Sequence, residues 1–98
     1  MFGTVQMDTL SLTRALRRLQ RTVVMLRTEL RHEHVDEGLI ADIEAQLEAG
    51  IATHPRTQHL RHLVDDLRES TLTPRPELLR DAIRCCDRLS DAITELTA

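Results

Sequence analysis

The sequence predicts an all-α chain: a four-helix up-down-up-down bundle whose helices run long, short, short, long. Three observations carry this. Apolar residues recur at helical spacing in four separate stretches. Gly50, Pro55 and Pro74 fall between those stretches. Aromatic residues are nearly absent, with one Phe and no Tyr or Trp. That suits a core of Leu, Ile, Val and Ala, not a sandwich built on aromatic and β-branched residues.

The first helix is expected over about residues 9–34, with Asp8 or Thr9 as N-cap. Leu12, Leu16, Leu19, Val23, Leu26 and Leu30 step 4, 3, 4, 3, 4 along it, the heptad pattern of a coiled-coil seam. A second helix is expected over 36–49, capped by Asp36 and stopped by Gly50, with Ile40, Ile43 and Leu47 inward. A third should use Pro55 in its first turn and run over 55–69, with Leu60, Leu63, Val64 and Leu67 inward. "STLTPRP" breaks the pattern, because its two prolines do not fit inside a helix. The fourth helix, over 76–96, repeats a heptad seam with Leu79, Ala82, Cys86, Leu89, Ile93 and Leu96. Short linkers make consecutive helices antiparallel neighbours. The 98 residues form a single helical-bundle domain, 1–98, large enough for one modest core.

Composition narrows the function classes. A net charge of −3 speaks against general coating of nucleic acid. No basic-then-apolar stretch at the start marks a signal peptide. The longest bulky apolar run, Val23 to Leu26, is far too short to cross a membrane. Adjacent Cys85 and Cys86 point about 100° apart on a helix and have no third cysteine to pair with. Free thiols in a reducing compartment follow, and with them a cytoplasmic location.

Charge is unevenly placed. Residues 1–31 carry six Arg against Asp8 and Glu29, a net of +4, whereas residues 32–50 carry six acids and no Arg. Arg14, Arg17, Arg18 and Arg21 fall on one face of the first helix, turned away from the leucine seam. Guanidinium forks suit phosphate oxygens. Yet no aromatic residue stands beside them to stack on bases, and no glycine-rich loop cradles a phosphate. A solvated face, or one paired with Glu48, Asp87, Asp91 or Glu95, is the plainer reading. Val24 and Met25 also face away from the seam and form a small second apolar patch.

Histidines and cysteines raise chemistry without completing it. His59, His62 and Asp66 share one strip of the third helix, and Glu29 precedes His32 with the Glu-x-x-His spacing of carboxylate di-iron bundles. A second such motif and inward carboxylates are missing, so no metal or cofactor is expected, and His62 with Asp66 reads as a surface pair. Cys86 sits on the core seam with no base beside it, and no serine or dinucleotide motif occurs, so no catalytic residue is assigned.

The expected function is therefore a non-enzymatic helical protein–protein interaction or assembly module, a homodimer or a dock for a partner helix. Shorter middle helices would leave Leu12, Leu16, Leu19, Leu89, Ile93 and Leu96 short of neighbours, and a second copy would cover them. The alternative is a helical subunit contacting nucleic-acid phosphates through Arg14, Arg17, Arg18 and Arg21.

Overall fold

The computed structural model describes residues 8–72 and 75–98. Residues 1–7, the stretch read for a leader, lie outside the described residues, as do Thr73 and Pro74 of the second break. Four helices pack against one another: α1 (Thr9–Arg31), α2 (Glu37–Gln46), α3 (Leu60–Thr71) and α4 (Pro76–Thr97). No strand occurs among the described residues.

Of the two residues expected to cap α1, Asp8 does so, and Asp36 caps α2 as expected. Asp8 accepts the Ser11 N–H at 2.7 Å and Asp36 accepts the Leu39 N–H at 3.0 Å, each satisfying an amide the helix itself leaves free. The Ser11 hydrogen bond also holds the Asp8 carboxyl below its ordinary range. Pro76 opens α4 at a position where a missing N–H costs nothing.

The boundaries differ from the expectation in three places. α1 stops at Arg31 rather than His34 because a Schellman turn closes it: His34 N–H donates to the Glu29 carbonyl and Glu33 N–H to that of Leu30. Glu33 takes the positive φ of 62° usually given to glycine there. Past α2 the chain does not stop before Gly50. It widens into a π turn, Leu47–Ile51, with Ala52 N–H bonded to the Leu47 carbonyl at 2.8 Å. Gly50, at φ 140°, absorbs the distortion. α3 begins at Leu60, not Pro55. The Thr57 hydroxyl turns inward onto the Ile51 carbonyl at 2.7 Å, and residues 52–59 form a chain of turns instead of helix.

α1 packs on α2 and α4, and α3 packs on α4 and more lightly on α2. Gln20 reaches Ser90 and Thr94 while Arg27 reaches Asp87, so the sequence runs in opposite senses along α1 and α4. The seam residues of all four helices, with Ile51, form one core.

That core overturns the reason for a dimer interface at Leu12, Leu16, Leu19, Leu89, Ile93 and Leu96. Leu12 and Leu16 are 2% exposed, and Leu19, Leu89 and Ile93 are 0% exposed within the single chain; Leu96 is partly buried against them. The π turn packs on α1, and Ile51 and Ala52 join the same cluster as Leu12 and Leu16. These apolar side chains are already out of water and supply no drive for association.

Candidate interaction surface

The outer face of α1 is where sequence and structure leave most unexplained. Arg14, Arg17, Arg18 and Arg21 are all exposed. Leu10, Val24 and Met25 flank them at 59%, 50% and 51% exposure. None of the four arginines lies within ion-pair distance of a carboxylate among the described residues. The partners suggested from sequence are engaged elsewhere or do not approach.

The other charges explain why. Arg27 takes Asp87 at 2.5 Å across α1 and α4. Arg68 on α3 bridges Glu44 at 2.6 Å and Glu37 at 2.8 Å on α2, and Arg61 takes Glu48 just beyond it. These hydrogen bonds hold the Glu44 carboxyl below its usual range and push the Arg68 guanidinium upward. Glu37 and Glu44 of α2 thus serve the α2–α3 contact and do not reach the α1 row.

At the margins of the face, polar side chains tie α1 to its neighbours. Gln20 donates to the Ser90 carbonyl and to the Ser90 and Thr94 hydroxyls at 2.8–3.2 Å. Gln46 donates to the buried Thr22 hydroxyl at 2.8 Å. The backbone under the arginines is therefore held on both sides while the arginines themselves stay in water.

The remaining candidates separate. His62 is exposed and lies 3.6 Å from Asp66, the expected i, i+4 pair, whereas His59 precedes α3 and is exposed. The two histidines do not gather with Asp66 into a ligand set. Cys86 is fully buried, and burial first, then the neighbouring Cys85 and Asp87, pushes its thiol up to about 12, which makes it inert. Cys85 lines an open groove of about 720 Å³ between α3 and α4. Its sulfur accepts from Arg88 at 3.5 Å and lies 3.8 Å from the Ser70 hydroxyl. Arg88 and Asp66 lie 4.0 Å apart there, Arg84 and Asp81 3.8 Å, and no histidine lines the groove to act as base.

No helix of the described chain is long and apolar enough to cross a membrane. No family model, curated protein sequence or solved structure matches the chain.

Proposed function

We propose that the chain is a non-enzymatic helical interaction module, and that the outer face of α1 binds an acidic amphipathic helix of another protein. One observation carries the reading: four neighbouring arginines without carboxylate partners among the described residues, edged by exposed Leu10, Val24 and Met25, on a helix whose opposite face is packed into the core. Acidic side chains would meet the guanidiniums in forked hydrogen bonds, and apolar ones would cover Val24 and Met25. Charge complementarity of this kind sets encounter rate and specificity more than raw affinity. A nucleic-acid backbone would satisfy the arginines but leave the aliphatic edge bare. It would also face a chain with net charge −3 and no aromatic residue among the described residues for stacking. Phosphate binding is therefore the second outcome of the test.

The test compares wild type with Arg14→Glu/Arg17→Glu/Arg18→Glu/Arg21→Glu and, separately, Val24→Asp/Met25→Asp. Proteins recovered on each from extracts of the producing cells are mapped to a binding segment. That segment is then made as a peptide and titrated by fluorescence anisotropy. The reading predicts an acidic segment bound by wild type and lost in both variants. Nuclease-sensitive recovery, with labelled duplex bound by wild type and by the Val24/Met25 variant alike, would overturn it in favour of phosphate binding.

A further inference from the structure

The corner between α1 and α2 gathers chemistry that the arginine face does not use. Glu29, His34 and Asp36 each present a ligand atom, and the three atoms lie within 4.8 Å of one another. Sequence spacing pairs Glu29 with His32, but the fold does otherwise. His32 Nδ1 lies 2.8 Å from the Thr28 carbonyl. The Schellman turn swings the chain back, so that His34 Nδ1 lies 2.8 Å from Glu29 Oε1. Two residues on, Asp36 spends one oxygen on the cap of α2, which fixes its carboxylate and leaves Oδ2 open. No arginine lies within ion-pair distance of Glu29 or Asp36 among the described residues. Two carboxylates are thus held beside one imidazole with no fixed cation to neutralise them.

We propose that Glu29, His34 and Asp36 form a site for a borderline divalent cation, zinc foremost, that ties the end of α1 to the start of α2. One imidazole nitrogen and two carboxylate oxygens suit zinc, whereas magnesium and calcium prefer oxygen alone. Three protein ligands leave the fourth tetrahedral position to water. Zinc bonds of about 2.0–2.1 Å set neighbouring ligand atoms about 3.3 Å apart, so the 2.8 Å His34–Glu29 pair opens slightly and the ligand atoms, now within 4.8 Å of one another, draw onto the ion. The Leu39 N–H on Asp36 acts as the outer contact that orients a ligand. Because the donors come together only when the Schellman turn and the cap are formed, the metal binds the folded chain and raises its melting temperature.

The test is calorimetric titration of tag-free protein with zinc and, separately, with magnesium. Thermal melts and long-range ¹H–¹⁵N spectra of the histidine rings accompany it. The expected result is one zinc per chain, a higher melting temperature, movement of the His34 ring signals, and no response to magnesium. His34→Ala and Asp36→Asn should each weaken zinc by more than the roughly tenfold lost with an outer-shell partner; Asn keeps the helix cap, so this variant stays folded. His62→Ala, at the exposed pair on α3, should bind as wild type. Absence of heat and of a melting shift up to millimolar zinc overturns the site, as does binding that survives His34→Ala or disappears in His62→Ala.

Discussion

α1 has two faces that obey opposite rules. The inward face, Leu12 to Leu30, is buried in the one core that all four helices share. On the outward face, Arg14, Arg17, Arg18, Arg21, Val24 and Met25 are exposed, and the four arginines lie within ion-pair distance of no carboxylate among the described residues. One helix thus supplies the main stabilising seam and the main unsatisfied surface. The difference separates the residues that hold the fold from those that the proposed partner would meet.

The largest test of that separation is on the inside. Leu26→Ala should cost about 2–5 kcal/mol, a large part of the stability of a domain this size, read as a fall in urea midpoint. Leu16→Glu should unfold the chain rather than dissociate an assembly, because Leu16 is buried by its own chain. Circular dichroism of a well-folded Leu16→Glu monomer would break the inward half of the comparison.

The border comes next. Gln20→Ala removes one amide that serves Ser90 and Thr94 at once, and about 1 kcal/mol should be lost, with Arg27→Gln costing less because its pair with Asp87 is partly in water. A smaller effect belongs to the α2–α3 contact. Arg68 lowers the Glu44 value in the folded chain, so the stability from that pair is present above the usual carboxylate range and is lost as pH falls through the lowered value. Wild type should lose some tenths of a kcal/mol on acidification below about pH 4.5, and Arg68→Met should flatten that part of the profile. The smallest stability effect is predicted for the row itself: Gln at Arg14, Arg17, Arg18 and Arg21 should each stay within about 0.5 kcal/mol of wild type. A collapse in melting temperature would mean that the row is structural after all.

Much of this was legible in the residues. Heptad spacing identified the inward positions of α1 and α4 because packing, not detail, selects them. Asp8, Asp36 and Pro76 marked helix starts through local hydrogen-bonding rules that need no tertiary context. What failed was set by contacts distant in sequence or by backbone geometry. Nothing local announces that Glu33 will accept a positive φ, that Gly50 will sit inside a π turn, or that Thr57 will turn inward and delay α3 to Leu60. The apolar end expected to lack cover is instead packed into the chain's own core. The arginine face was visible as a pattern, but its lack of carboxylate partners among the described residues follows from Arg27, Arg61 and Arg68 holding Asp87, Glu48, Glu44 and Glu37. The Glu29–His34–Asp36 corner escaped because the motif spacing pointed to His32.

The proposed partner would meet this protein on the outer face of α1. Photo-crosslinking tests it most directly. A benzophenone amino acid replaces Met25 in one variant and Ala45, on the exposed side of α2, in another, and each is illuminated in extracts of the producing cells. The account predicts adducts from position 25 that map to an acidic protein segment, and none from position 45. Equal adducts from both positions, or adducts from position 25 to nucleic acid alone, would contradict it.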